Sequence, residues 1–275
     1  MTSVATWKRR GQAKLSRTGA QNKSQHLFDH WAPVQRRLAR AKFLALFLDF
    51  DGTLAPLRSR PGDAKLPPRT RELLRRLARH PAITLCFISG RRRAKLQKLV
   101  SVRGAIYVGL HGWERDTGAR STIAARRVLA DARRTLVERL TGLPHIWVRD
   151  KGPCFEVHYH GASEGTVRKA RAIVYSVLRS LKKNARLLRG RDVWEFLPWE
   201  FKGKGAAVRA LIAEFPCPVL PIYIGDDITD ESAFRVLAKG ITIRVGKPRA
   251  TRARFELRNP DEVFSFLKQM EAEIK

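Results

Sequence analysis

The 275-residue chain is short of acidic residues, of cysteine and of long apolar runs. Asp and Glu number 25 against 55 Lys and Arg, which gives a formal net charge of +30. Such a balance attracts polyanions, whether nucleic acid, acidic membrane or phosphorylated small molecules. The chain has no recognisable nucleic-acid motif, however, and its aromatics are not interleaved with the basic runs. The basic residues are mostly Arg and are spread through every segment. They predict a diffuse surface charge, with non-specific nucleic-acid binding at low salt and no specific nucleic-acid partner. No apolar run approaches the ~20 residues that span a bilayer, so no membrane association is expected. The basic N-terminus is followed by no apolar stretch, and Arg9-Arg10 lead into Gly-Gln-Ala-Lys-Leu-Ser. Neither a secretory nor a twin-arginine signal is therefore expected. Cys86, Cys154 and Cys217 are odd in number, far apart and fit no zinc spacing. They read as reduced thiols of a cytoplasmic protein, with Cys86 and Cys154 inside predicted strands.

What the chain does have is the stretch Phe43 to Leu54, Phe-Leu-Ala-Leu-Phe-Leu-Asp-Phe-Asp-Gly-Thr-Leu. Its continuous apolar half suits a strand buried on both faces of a parallel sheet. Side chains of an extended segment alternate with period two. Asp49 and Asp51 can then point the same way at the carboxyl end of the strand, where open α/β sheets bind ligands. Two carboxylates so close repel, and a hard divalent cation with oxygen ligands relieves the repulsion. Mg²⁺ is the usual one at phosphate sites.

The rest of the chain predicts an α/β fold with a Rossmann-like parallel sheet core and an inserted α+β cap domain. Residues 1–40 form a basic N-terminal extension. Its first 25 or so residues are expected to be disordered, and His26 to Arg40 look helical, with Leu27, Trp31, Val34 and Leu38 on one face. Strands at Phe43–Leu48, Ile83–Ile88 and Ala105–Leu110 alternate with helices from Pro67-Pro68 to about His80 and from Arg91 to Val100. This β-α-β-α-β order predicts a parallel sheet with right-handed crossovers. The rhythm then breaks. A long helix from about Ser121 to Thr141, strands Ile146–Val148 and Phe155–Tyr159, a helix Ser163–Leu181, and strands Leu187-Leu188 and Val193–Leu197 form an α-β-β-α-β-β unit. It predicts a four-stranded antiparallel sheet with two helices on one face. Alternation returns with a helix Gly205–Phe215, a strand Val219–Ile224, a helix Thr229–Leu237, a strand Ile241–Val245 and a final helix Pro260–Met270. The core is thus expected at 41–112 and 196–275, and the cap at 113–195.

Three further segments carry parts that phosphoryl transfer needs. Ile83 to Arg91 ends an apolar run on Ser89-Gly90-Arg91. Lys202-Gly-Lys204-Gly205 places lysines at the mouth of a helical pattern. Ile222 to Glu231 ends an apolar run on Gly225-Asp226-Asp227-Ile-Thr-Asp230-Glu231. Carboxylate nucleophile, hydroxyl, lysine and carboxylates, in that order, resemble the haloacid dehalogenase-like phosphatases. Gly225 to Glu231, with Gly109-Leu-His111-Gly112 and His158-Tyr159, is similar to the trehalose-phosphatase branch of that superfamily, from about Phe43 to Leu267.

The resemblance implies a Mg²⁺-dependent phosphatase that takes a phosphosugar, trehalose 6-phosphate, through an aspartyl-phosphate on Asp49. Asp51 would be general acid and then base. Ser89 would donate to a phosphate oxygen, and Lys204 would offset charge near phosphate and Asp49. Lys202 is a rival for that role, and Lys204 is preferred because a helix follows it. Gly52 and Thr53 would supply N–H groups and a hydroxyl to the phosphate, with Arg91 beside them. The metal would be held by the Asp49 carboxylate, the Asp51 carbonyl and Asp226. Asp230 would join them or only cap a helix, and Asp227 is similarly ambiguous. For the sugar, the resemblance picks out Gly109 to Glu114 with His111, Asp150-Lys151, His158-Tyr159 and Glu195, of which His111, Lys151, His158 and Glu195 are the first choices. Two positions depart from the family's pattern, His160 and Leu197, where basic residues are common. They leave open a phosphatase for another phosphosugar, such as sucrose 6-phosphate. A basic binding protein on the same scaffold is the alternative from a different class.

Overall fold

The computed structural model describes residues 24–57, 64–115, 123–181, 184–190, 192–215 and 218–274. The expectation of disorder before residue 24, and Cys217, lie outside these residues. The chain begins with a two-residue strand β1 (Gln25–His26) and a helix α1 (Trp31–Arg40). There follow β2 (Phe43–Leu48), α2 (Pro68–Arg79), β3 (Ile83–Ile88), α3 (Arg93–Val100) and β4 (Ile106–Val108). After the second unit come α6 (Lys204–Ile212), β9 (Val219–Gly225), α7 (Glu231–Val236), β10 (Ile241–Val245), β11 (Phe255–Leu257) and α8 (Pro260–Glu273). The seven strands form one sheet in the order β1-β11-β10-β9-β2-β3-β4, with every pair parallel.

The apolar run of β2 places it between β9 and β3, buried on both faces. Leu44, Leu46 and Leu48 pack into one core with α1, α2, α3 and α8, whereas Ala45 and Phe47 pack into another with α6 and α7. That two-sided burial is what a continuous apolar strand requires. Two elements had no signal in the pattern. Strand β11 is three residues long, and β1 pairs with it in parallel through Gln25↔Phe255 and His26↔Glu256. Residues 24–40 are thus part of the folded core, with Val34 and Leu38 buried and Trp31 edge-on to Phe266.

The inserted unit is α4 (Ile123–Leu140), β5 (Trp147–Asp150), β6 (Phe155–His158), α5 (Glu164–Ser180), β7 (Ala185–Gly190) and β8 (Val193–Pro198). Its four strands are antiparallel in the order β5-β6-β8-β7. Both helices pack on one face, against Phe155, Val157, Trp194 and Phe196. Period-two alternation sends Glu156, His158 and Glu195 to the other face. Strand β8 runs to Pro198, so a boundary at 195/196 cuts through it. Cys154 lies in the turn before β6 rather than in the strand, and both it and Cys86 are buried free thiols. The expected helix at Thr229–Leu237 is divided. Asp227 and Asp230 cap each other's backbone, which fixes a 3₁₀ turn over Ile228–Asp230 before α7 begins.

Candidate active site

Strands β2, β3 and β9 deliver their side chains to one place at their carboxyl ends. The Asp49 N–H still donates to Ile224 O at 2.9 Å, so the residue after β2 remains held by β9. Gly52 then turns the chain at φ 77°, and a Cβ there would collide with the Asp226 carboxylate. Only glycine permits that approach. Asp49 is buried. Lys204, at the first position of α6, donates to Asp49 Oδ1 at 2.7 Å and to Asp230 Oδ1 at 2.8 Å. Tyr223 donates to the same Asp230 oxygen at 2.6 Å, and the Asp227 N–H to the other at 2.9 Å. Lys202 is exposed, so geometry selects Lys204 of the two. Asp51 is gripped by Arg91, whose Nε and Nη2 donate at 2.7 and 2.5 Å. Ser89 is buried beside it and accepts from the Arg91 N–H. Thr53 Oγ1 is buried with no hydrogen-bond partner among the described residues.

Asp49, Asp226 and Asp230 offer carboxylate oxygens all within 4.8 Å of one another. Against these three negative charges stands one ammonium, Lys204, since Arg91 is committed to Asp51. Burial pushes the Asp49 carboxyl up to about 7, and the nearby Asp230 and Asp51 add to the rise that Lys204 opposes. Burial and then Asp49 and Asp230 likewise hold Asp226 well above the ordinary carboxylate range. Burial disfavours the Lys204 ammonium, yet Asp230 and Asp49 outweigh it and raise its pKa well above the ordinary lysine value. Two unbalanced negative charges on hard oxygen ligands fit one divalent cation such as Mg²⁺. The Asp51 carboxylate lies outside this cluster; the family resemblance implied its carbonyl, not its side chain, for the metal.

The second group of polar side chains lies on the helix-free face of the cap sheet. Glu156 and Glu195 are directly opposite on β6 and β8, an arrangement that like charges make unfavourable. Lys151 resolves it, donating to Glu156 at 2.8 Å and to Glu195 at 2.6 Å. His111, from the core side, meets Glu195 at 2.9 Å. His158 and Arg149 meet the outer oxygen of Glu156 at 2.9 and 2.8 Å. Burial would raise the Glu195 pKa, but His111 and Lys151 prevail and hold it down at about 2. Glu156 is driven far below the usual range, its burial outweighed by His158, Lys151 and Arg149. His111 sits at φ 54°, and its ring fills the space a Cβ at Gly90 would need. The loop after Ser89 and the cap are therefore joined through one histidine.

His111, Lys151, His158 and Glu195 thus belong to one network, whereas Glu114 accepts from the Arg93 N–H, Asp150 from the Gly152 N–H, and Tyr159 packs on Trp194. Glu156, which ties Lys151, Arg149 and His158 together, was missed. Its signal was its place two residues before His158, on the same face of β6. Of the two departures, His160 lies away from the network and Leu197 lies beside it, packed on Cys154, whose Sγ donates to Glu195 Oε1 at 3.7 Å. His160 pairs with Asp192 at the exposed end of the cap, and Leu197 packs with Leu110, Cys154 and Phe201.

A parallel α/β core with an inserted cap, and carboxylates, a serine and a lysine gathered at its strand ends, defines a haloacid dehalogenase-like phosphatase. The match to the trehalose-phosphatase family runs over residues 47–261, and the chain belongs to that family. It is 33% identical over 258 residues to trehalose 6-phosphate phosphatase RA3 of Zea mays, covering 84% of this chain and 71% of that protein. It is 31% identical over 259 residues to the probable trehalose-phosphate phosphatase H of Arabidopsis thaliana, covering 85% and 73%. The fold is shared with the C-terminal domain of the trehalose-6-phosphate phosphatase of C. albicans. There the TM-score is 0.77 at 19% identity, over 92% of this chain and 100% of that one. Among the described residues no helix is long and apolar enough to cross a membrane.

Proposed function

We propose that this phosphatase hydrolyses trehalose 6-phosphate to trehalose and phosphate, with Mg²⁺ as its metal and Asp49 as its nucleophile. The observation that carries the mechanism is a buried Asp49 at the end of the central strand, 2.7 Å from Lys204. Asp49 and Asp226, with the Asp51 carbonyl, would hold the metal. Asp230 completes the cluster while its oxygens accept from Lys204, Tyr223 and the Asp227 N–H. A bound Mg²⁺ would neutralise the carboxylates and the phosphate that faces them.

A carboxylate oxygen of Asp49 attacks phosphorus while the bond from phosphorus to the sugar oxygen breaks. Lys204, Ser89 and Thr53 stabilise the charge on the phosphoryl oxygens. The Asp51 carboxyl passes its proton to the leaving sugar oxygen. It then takes a proton from the water that attacks the Asp49 acyl-phosphate, releasing phosphate and restoring Asp49. The Arg91 grip on Asp51 must open for this, and an incoming phosphate gives Arg91 an anion in exchange. His111, Lys151, His158 and Glu195 present donors and acceptors to the sugar hydroxyls, with Glu156 positioning them. Residues 113–195 act as a cap that closes on the core of 41–112 and 196–275 and excludes water.

Phosphate release from trehalose 6-phosphate, glucose 6-phosphate and sucrose 6-phosphate, with and without Mg²⁺, tests this. Mg²⁺-dependent turnover of trehalose 6-phosphate well above the other two is expected. Preference for sucrose 6-phosphate would overturn the substrate and retain the chemistry.

A further inference from the structure

The helix-free face of the cap sheet continues past the Lys151 network onto its edge strand, β5. Ile146 and Val148 pack towards the helices, so period two turns Trp147 and Arg149 to the other face. Arg149 is engaged by Glu156. Trp147 lies directly opposite His158 in the β5–β6 ladder. Its indole stacks on the His158 imidazole, with ring centroids 3.8 Å apart and planes 7° from parallel. His158 Nε2 is itself held at 2.9 Å from Glu156. The imidazole covers one face of the indole, yet Trp147 remains 44% exposed, whereas His111, Lys151, Glu156, His158 and Glu195 are all buried. Sheet edges are ordinarily blunted by charge. Here the edge holds a large apolar ring open to solvent, beside a polar network.

We propose that Trp147 is the platform on which the second, unphosphorylated ring of a disaccharide phosphate stacks, so that it selects disaccharide over monosaccharide phosphates. The inference rests on the phosphosugar reading above and adds the residue that recognises the second ring. Glu195 meets His111 at the joint with the core, on β8, and Trp147 is two strands away across β6. Two inter-strand steps span about 10 Å, the length scale of two joined hexose rings. A ring bound beside Glu195 therefore leaves its partner over Trp147. A pyranose presents a face of C–H groups between its hydroxyls, and that face buries apolar area against an indole. Glu156 and His158 lie between the two positions and offer polar partners to the hydroxyls. The indole has two side-chain torsions and is already held by His158, so little ordering entropy is lost when a ring arrives.

Initial rates of phosphate release in Mg²⁺ are compared for wild type, Trp147→Ala and Trp147→Phe, on trehalose 6-phosphate and on glucose 6-phosphate, which has no second ring. Trp147→Ala is expected to raise the KM for trehalose 6-phosphate about tenfold with kcat within about twofold, and to leave kcat/KM for glucose 6-phosphate within about twofold. Trp147→Phe, which keeps a ring, is expected to recover most of the loss. An unchanged KM in Trp147→Ala would overturn the platform. So would an equal loss on both substrates, which would mean that the indole acts only through His158. If the wild type prefers sucrose 6-phosphate, the choice of trehalose falls alone, and the same comparison on sucrose 6-phosphate decides the platform. A wild type that turns over glucose 6-phosphate as well as either disaccharide phosphate would overturn both. The unphosphorylated disaccharide, titrated in EDTA and followed by tryptophan emission, reads the contact without turnover. A saturable change in the wild type, at least halved in Trp147→Phe, is expected; no change, or an undiminished one, would overturn the platform.

Discussion

Replacement of Lys204 by Met leaves Asp49 and Asp230 buried together with no ammonium between them. Breaking one side of a buried ion pair costs about 3–5 kcal/mol. Urea unfolding of Lys204→Met in EDTA should show a loss of that order, and Mg²⁺ should restore part of it. A stability within ~1 kcal/mol of wild type in EDTA would mean that Lys204 is not what balances the cluster. Glu195 gives a pH signature of its own. Its folded value, about 2, lies below its ordinary 4.5. The stabilisation is therefore present above the ordinary value and is lost as pH falls through the window from 4.5 towards 2. Glu195→Gln should flatten the acid limb of stability against pH across that window. A limb that keeps the wild-type slope would show that the carboxylate is not held by Lys151 and His111 in the folded chain.

At the scale of elements, the N-terminal segment makes the sharpest prediction. Strand β1 covers the edge of β11, and Leu27, Val34 and Leu38 are buried against the rest of the core. Deletion of residues 1–40 bares an unpaired parallel edge and the apolar surface of α8, both of which promote association. Size-exclusion chromatography should show soluble aggregates or poor recovery, and a well-behaved monomer of wild-type stability would contradict the docking. The sequence revealed the long elements and concealed these short ones for a physical reason. A six-residue apolar strand such as β2 announces itself, whereas Gln25–His26 and Phe255–Leu257 are too short to show a period. The carboxylates of the candidate site were legible because they follow apolar strands directly. The Arg91–Asp51 grip and the part of Glu156 were not, because pairings between side chains distant in the chain have no local pattern. The 3₁₀ turn before α7 was read as helix because helical periodicity does not register a capping pair such as Asp227 and Asp230.

At the scale of the whole molecule, the contact between His111 and Glu195 joins the core to the cap. On the proposed reading it is the point at which a bound sugar is felt by both. Small-angle scattering with and without a non-hydrolysable trehalose phosphate analogue should show compaction on binding. An unchanged radius of gyration would mean that the cap does not close on the sugar. The net charge of +30 acts at the same scale. On the proposed reading it draws anionic substrate from every direction, while the carboxylate cluster, Lys204 and the cap network select what reacts.

The measurement that bears most directly on the mechanism is phosphate release from trehalose 6-phosphate by wild type and by Asp49→Asn, in Mg²⁺ and at equal protein. Asn keeps the size of the side chain and cannot act as a carboxylate nucleophile. A fall of roughly a thousandfold or more, with wild-type folding by circular dichroism, is the predicted result. A variant that retained its rate to within about tenfold would contradict Asp49 as nucleophile.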